Sequence, residues 1–301
     1  MKNQQVLATL QEAMTNLQPL YGEDMTAAIQ ATELDPASWY TLVTMKAASK
    51  PINLDHFQAL NPFGRIELFK ARIQPCLEKG VVAIDPDTGG YHLTAEGRQA
   101  ASRPFEVAHE ILDTAEPMDK GKLKRLADLL EQVIHATLEA DQPASKLNIL
   151  RSRTTDPGPD AGPVTRIDQY ITDLIGYRDD AHNGAWRPHG CSAEGWDVLT
   201  AVWREQNDRI QGLAEQFEAR GYTEASLQEA VDEISALGWL SEADGKLSIT
   251  AAGAKLRQET EDLTDQYYFG PWSTLSKEDR QELEALLTDY NQALAQKAET
   301  A

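Results

Sequence analysis

The sequence predicts a mainly α-helical protein with two small β-hairpins, and three observations lead to this fold class. Apolar residues recur with helical spacing along most of the 301-residue chain. Two segments, 77–97 and 236–253, share a pattern in which a glycine ends a helix and two short β-prone stretches flank a turn. The chain is also longer than a typical single domain, so we expect two or three hydrophobic cores.

The two repeated segments read LEKGVVAIDPDTGGYHLTAEG and ALGWLSEADGKLSITAAG. Gly80 and Gly238 suit the position just after a helix, where φ is positive. The turns DTGG and ADG join the strands of a hairpin, and Thr94 and Thr250 stand where they can cap the following helix. We infer that one structural unit occurs twice.

Three helical patterns precede each hairpin. They begin near Asp35, Asn53 and Arg65 in the first copy, and near Ser192, Asp208 and Thr223 or Ser226 in the second. Three helices followed by a hairpin form a winged-helix unit. The predicted fold is therefore mainly α with small β-wings, built from two winged-helix-like units joined by a helical middle region. Pro75 is expected to kink or shorten the third helix of the first unit.

These patterns divide the chain into seven segments. They are an N-terminal helical segment (1–34), the first winged-helix unit (35–104), connecting helices (105–140), a linker rich in Pro and Gly (141–165), a helix containing YRDDAH (166–190), the second winged-helix unit (191–275) and a C-terminal helix (276–301). The linker has four prolines and little periodicity. The connecting helices have the apolar stripe of bundle or dimer helices, so a homodimer is one expectation.

Composition and charge exclude several classes of protein. No apolar run approaches the roughly 18 residues of a membrane span, and no secretory signal begins the chain, so we expect a cytoplasmic protein without a membrane partner. Cys76 and Cys191 form no CxxC pattern, which argues against a disulfide framework or a zinc finger. The net charge of −20 is uneven: segment 35–104 has eight basic and seven acidic residues, whereas segment 197–301 has nine basic and 21 acidic residues.

The third helix of a winged unit usually enters the DNA major groove. In the first unit this helix supplies four residues that suit phosphate or base contacts: Arg65, Lys70, Arg72 and Gln74. The corresponding helix of the second unit has Glu229, Asp232 and Glu233 and no basic residue, so it is expected to repel phosphate. The alternative is that both units serve only as packing modules.

The segment YRDDAHNGAW, from Tyr177 to Trp186, is the second candidate site. Its spacing places Arg178 and His182 on one side of a helix, beside an apolar stripe. Such a set can bind a polar ligand or supply a His–Asp acid–base pair. Alternatively, Arg178 and the acidic residues form ion pairs that fix the helix, with His182 neutral in the core. A metal would need distant ligands, so we expect neither a metal nor a cofactor.

Aromatic residues are concentrated in the C-terminal half, where they can line a pocket for an apolar or aromatic ligand or simply form core. The candidate ligand-binding residues are Tyr177, Arg178, Asp179, Asp180, His182, Trp186, Tyr268 and Trp272. His189 precedes Gly190 and Cys191, but neighbours in sequence rarely form a Cys–His nucleophile pair.

YRDDAHNGAW, GWLSEADGKLSITAAG and TDQYYFGPW (Thr264 to Trp272) together resemble a bacterial family of duplicated winged-helix proteins, which are described as MarR-like or uncharacterised. The resemblance extends from about residue 35 to the end, and YRDDAH is its most specific part. It implies a duplicated winged-helix architecture and transcriptional-regulator ancestry. It implies no particular reaction.

Three functions remain open. The leading hypothesis is a winged-helix regulator that contacts duplex DNA through its first unit and binds a ligand or partner through its acidic C-terminal half. The second is a small-molecule binding protein or enzyme with a pocket around Arg178, Asp179 and His182. The third is a protein-interaction adaptor. The sequence has no glycine-rich phosphate loop, GxSxG or HExxH, so no catalytic residue is predicted and a non-enzymatic function is favoured.

Overall fold

The computed structural model describes residues 3–300 and is mainly helical, as predicted. Within this range lie thirteen α-helices and four short strands. In chain order the elements are α1 (Asn3–Gln30), α2 (Pro36–Lys46), α3 (Leu54–Leu60), α4 (Ile66–Glu78), β1 (Val82–Ile84), β2 (Tyr91–Leu93), α5 (Ala95–Leu112), α6 (Lys120–Glu139), α7 (Leu147–Ser152), α8 (Pro163–Trp186), α9 (Ala193–Trp203), α10 (Ile210–Gln216), α11 (Glu224–Ala236), β3 (Leu240–Ala243), β4 (Lys246–Ile249), α12 (Ala251–Phe269) and α13 (Lys277–Thr300).

Two units contain the same order of elements, three helices and then an antiparallel hairpin. The first unit comprises α2 to α5 with β1 and β2, and the second comprises α9 to α12 with β3 and β4. A residue that precedes the second helix of each unit also forms backbone hydrogen bonds with the hairpin of that unit. Ile52 exchanges two backbone hydrogen bonds with Tyr91, of 2.9 and 2.7 Å, and the Leu247 amide donates to the Asp208 carbonyl at 2.8 Å. Each hairpin is therefore tied to an earlier part of its unit, by a two-bond bridge in the first unit and by one hydrogen bond in the second.

The Thr-Ala-x-Gly sequence begins the last helix of each unit in the same way. The Thr94 hydroxyl accepts from the Gly97 amide at 3.1 Å, and the Thr250 hydroxyl accepts from the Gly253 amide at 3.0 Å. Both glycines lie against the backbone just before the hairpin. A Cβ at Gly97 would meet a carbonyl oxygen there at 1.9 Å, and one at Gly253 would meet the equivalent oxygen at 2.2 Å. Only glycine fits at either position without a shift of backbone.

We expect Gly97→Ala and Gly253→Ala each to lower the free energy of unfolding by about 2–3 kcal/mol, because the added methyl group overpacks against fixed backbone. Urea denaturation followed by circular dichroism measures the change. Gly22→Ala is the control, since Gly22 lies inside α1 and its nearest obstacle is a flexible glutamine side chain. We expect that variant to be neutral or slightly stabilised. Equal stability of Gly97→Ala and the wild type would contradict the packing described here.

The largest core lies in a central helical bundle, and each unit has a core of its own. The bundle joins α1, α6, α8, α13 and the end of α12. The apolar stripe of α6, including Leu126, Leu130 and Ile134, is buried within the chain. This stripe is therefore not available as a dimer surface. No helix in residues 3–300 is long and apolar enough to cross a membrane.

Two local predictions differ from the structure. The segment predicted as a linker contains the short helix α7, whose first residues are held by a tertiary contact described below. Helix α8 begins at Pro163, a proline at the first helical position. Pro75 was expected to kink or shorten α4, but the helix continues to Glu78, and the proline lies in its last turn. The bounds of these helices therefore depend on tertiary contacts and on the position of prolines, which the spacing of apolar residues does not reveal.

Candidate functional site

Helix α4 of the first unit presents an outer face of mixed charge, on which Glu67 and Glu78 are exposed as well as Lys70. Phe69 and Ile73 point into the unit's core, whereas Lys70 and Gln74 are exposed and Arg72 is half-buried. Within the described residues Lys70 and Arg72 have no carboxylate within 4 Å. Three of the four predicted DNA-contact residues therefore lie on the middle of α4, in reach of solvent.

The fourth residue, Arg65, lies elsewhere, at a contact between the two units. Its guanidinium binds the Glu194 carboxylate at 3.0 Å, and its backbone amide donates to the Arg220 carbonyl at 3.2 Å. The Phe63 ring packs on Trp186 with ring centroids 5.6 Å apart, and the Arg220 guanidinium lies 5.0 Å from the centroid of the Phe63 ring. We call these five residues the clasp. The clasp holds the beginning of α4 against the second unit.

The corresponding helix of the second unit, α11, has an acidic outer face. Glu224, Glu229 and Asp232 are exposed, and the helix contains no Lys or Arg. In the adjoining hairpin, Lys246 is paired with Asp208 at 3.1 Å. This face is unsuited to phosphate, as its sequence predicts.

In the YRDDAH helix, Arg178 joins α8 to α12. Its guanidinium binds Asp265 at 3.0 Å and lies 3.6 Å from Glu261. It also lies 5.5 Å above the Tyr268 ring. This geometry agrees with the interpretation in which Arg178 forms ion pairs that fix the helix.

Asp180 holds the start of α7. Its carboxylate accepts from the Asn148 amide at 2.9 Å, the Asn148 side chain at 3.0 Å and the Ile149 amide at 3.0 Å. Burial raises the pKa of Asp180, while these N–H donors act in the opposite direction. The carboxylate replaces the helix-capping group that α7 lacks at its own N-cap residue.

His182 is held neutral between the two units. Its Nε2 accepts a hydrogen bond from the Trp196 indole at 3.2 Å, and its ring stacks on Phe63. Burial, aided by the nearby Arg257 charge, lowers the pKa of His182 to about 4. Because Nε2 is the acceptor, the ring hydrogen is assigned to Nδ1.

A cavity of about 290 Å³ lies between the first unit and helices α7 and α8. Its lining residues come from α2, from the end of α3 and the following loop, and from α7 and α8: Tyr40, Leu60, Asn61, Pro62, Phe63, Asn148, Arg151, Asp179, His182 and Asn183. Of the predicted ligand-binding residues, it contains only Asp179 and His182. Tyr177, Tyr268 and Trp272 are buried in the central bundle and do not line it.

Two opposite charges face this cavity. The Asp179 carboxylate is accessible to water there, but surrounding protein removes part of its hydration and raises its pKa to about 6. Arg151 counteracts this shift, and its guanidinium stacks 5.3 Å above the Tyr40 ring. Within the described residues neither charge has an ion-pair partner within 4 Å. The cavity therefore offers a cation and an anion to a small molecule.

The Cys191–His189 pair has no geometry for nucleophilic chemistry. His189 Nε2 contacts the Thr260 hydroxyl at 3.0 Å. Burial raises the pKa of Cys191 to about 12, so its thiol stays protonated. Among the described residues no group of three or more His, Cys, Asp or Glu side chains is placed to hold a metal ion.

Comparison with known families gives one match. The sequence model of a helix-turn-helix family matches residues 91–300, about seven-tenths of the chain, from β2 through α13. The matched region contains the YRDDAH helix and the whole second unit, whereas α2 to α4 precede it. No curated protein and no solved structure matches the chain.

Proposed function

The chain belongs to this helix-turn-helix family, and on that premise we propose that it is a transcriptional-regulator-like protein that contacts duplex DNA through its first unit. Family membership supports the general function of a DNA-binding regulator. We propose which unit contacts DNA, which residues make the contact and how a ligand controls it. The proposal includes a cytoplasmic location.

The repeated order of elements supports a duplicated, MarR-like winged-helix architecture. The order of α1 to α6 with β1 and β2 recurs in α8 to α13 with β3 and β4. Helix α7 connects the two halves. One chain then supplies two winged units and the bundle that joins them.

The exposed side of α4 carries the proposal. A winged unit reads DNA with its third helix, and exposed basic side chains on that helix neutralise phosphates. Lys70 is exposed and unpaired within residues 3–300, and Arg72 lies two residues further along, on a different side of the helix, whereas α11 has no basic residue. We therefore assign the DNA contact to Lys70, Arg72 and Gln74, with the second unit as a structural or sensory partner.

The clasp adjusts the predicted set of DNA-contact residues. The start of a recognition helix usually approaches base edges. Here the start of α4 lies against the second unit, and Arg65 is paired with Glu194. We assign Arg65 to the clasp and propose that opening the clasp exposes it for DNA.

Fluorescence anisotropy with the intact chain and a labelled mixed-sequence duplex tests the proposal. Two or three phosphate contacts predict an affinity that falls roughly tenfold or more between about 50 and 200 mM salt. Absence of binding to any duplex at the lower salt concentration would contradict the proposal.

The cavity beside Asp179 supports a second role, the binding of a small ligand. Its walls come from both the first unit and α8, and Phe63 belongs to the cavity and to the clasp. A ligand bound there with different affinity in the open and closed arrangements would change the fraction of molecules with the clasp open. We propose that this is how the protein senses a ligand.

A further inference from the structure

We propose that the cavity between the first unit and helices α7 and α8 binds an α-amino acid with an apolar side chain, with Arg151 receiving the carboxylate and Asp179 the ammonium group. This inference deepens the proposed ligand-sensing role and rests on it. It does not depend on which helix contacts DNA.

The charges define the head group. The half-buried guanidinium of the neighbouring Arg153 has a carboxylate partner, Asp173, at 2.9 Å. Arg151 and Asp179 lack such partners and share one cavity. Arg151 is half-buried, and Asp179 is exposed but has lost part of its hydration to the surrounding protein, so a ligand of opposite charge offsets a free-energy cost at each group.

Both charges together favour a zwitterion over a simple ion. A phosphate or carboxylate alone would satisfy Arg151 but lie near the Asp179 carboxylate. An amine alone would satisfy Asp179 but lie near the guanidinium. His182 adds no charge, because burial holds it neutral. An amino acid presents both groups on one carbon and matches both side chains.

The rest of the wall suits the remainder of such a molecule. Leu60, Pro62 and Phe63 of the first unit give one apolar side. Asn61 of the first unit and Asn183 of α8 add neutral amide groups to the lining. The cavity volume of about 290 Å³ lies at the small end of the range for ligand sites. A cavity of this size suits a single amino acid.

Isothermal titration calorimetry of the intact chain tests this assignment with L-phenylalanine and L-leucine as probes. Two fragments of the first probe are compared with it: phenethylamine, which lacks the carboxylate, and 3-phenylpropionate, which lacks the amine. We expect at least one amino acid to bind at neutral pH. Each fragment of L-phenylalanine should bind about tenfold or more weakly, because one charge-assisted hydrogen-bonded pair is lost.

Variants identify the site. Arg151→Gln and Asp179→Asn should each weaken amino-acid binding about tenfold or more. Arg151→Gln should also remove the preference for L-phenylalanine over phenethylamine while phenethylamine still binds, whereas a general loss of folding would abolish the binding of both. Asp160→Asn, an exposed change of the same kind, should leave binding unchanged. Melting temperatures confirm that each variant is folded.

Two results would overturn the inference. One is absence of binding by both amino acids, and the other is binding that neither cavity variant weakens. DNA binding is measured separately. A chain that binds duplex DNA but neither amino acid contradicts only this inference, whereas a chain that binds L-phenylalanine but no duplex contradicts only the DNA proposal.

Discussion

Replacing Lys70 and Arg72 together with glutamine is expected to weaken duplex binding roughly a hundredfold at about 0.1 M salt, because each loses one phosphate contact worth about tenfold there. The slope of log affinity against log salt concentration should also become shallower, by the amount that two phosphate contacts contribute. Fluorescence anisotropy over a salt series measures both quantities. The variant should fold normally, since Lys70 is exposed and Arg72 is only half-buried.

The matched control changes the same charge on the second unit. Arg209→Gln with Lys246→Gln removes two basic residues that lie beside its hairpin. We expect duplex affinity to change less than about threefold, since neither residue contacts phosphate and only the overall charge differs. Equal losses from the two double variants would mean that the DNA contact is not specific to the first unit.

Replacing Asp180 with alanine is expected to lower the free energy of unfolding by about 3 kcal/mol or more. The change leaves the Asn148 and Ile149 amides, which are buried at the start of α7, without their acceptor. Urea denaturation measures the loss, and chemical shifts of residues 147–152 report whether α7 persists.

Replacing Asp179, the neighbour of Asp180 in the motif, should not destabilise the protein at neutral pH. The pKa of Asp179 rises from an ordinary value near 3.8 to about 6 on folding, so the folded state disfavours the ionised carboxylate. This penalty is present above about pH 6 and disappears as pH falls through about 6 toward 4. Asp179→Asn should therefore leave the melting temperature at neutral pH unchanged or higher. A loss as large as that of Asp180→Ala would contradict separate roles for the two aspartates.

Local signals in the sequence predict the order of elements within each of the two units, although not helix α7 between them. Gly80 and Gly238 adopt φ of 71° and 77°, and Thr94 and Thr250 cap the following helices, all as their residue types suggest. These features depend on a few adjacent residues. The acidic outer face of α11 was predictable for the same reason, because helical spacing alone determines which residues share it.

The cavity could not be predicted in the same way, because distant segments form it. Arg151 lies in a segment without periodicity, in the short helix α7, whose first amides bind the distant Asp180 carboxylate. Tyr40 and Asn61 reach the cavity because the first unit packs on α8. Only Asp179 and His182 carried a local signal, the cluster of ionisable residues in YRDDAH. The contact of Arg65 with Glu194 likewise arises from packing between the two units, which a helical pattern does not reveal.

The central claim, that the first unit contacts DNA through α4, is tested most directly by hydrogen–deuterium exchange of the intact chain with and without a bound duplex. The account predicts slower exchange in peptides that cover residues 66–78 when duplex is present, with unchanged exchange in residues 224–236 of the second unit. Protection of 224–236 instead, or unchanged exchange throughout the first unit at saturating duplex, would contradict it.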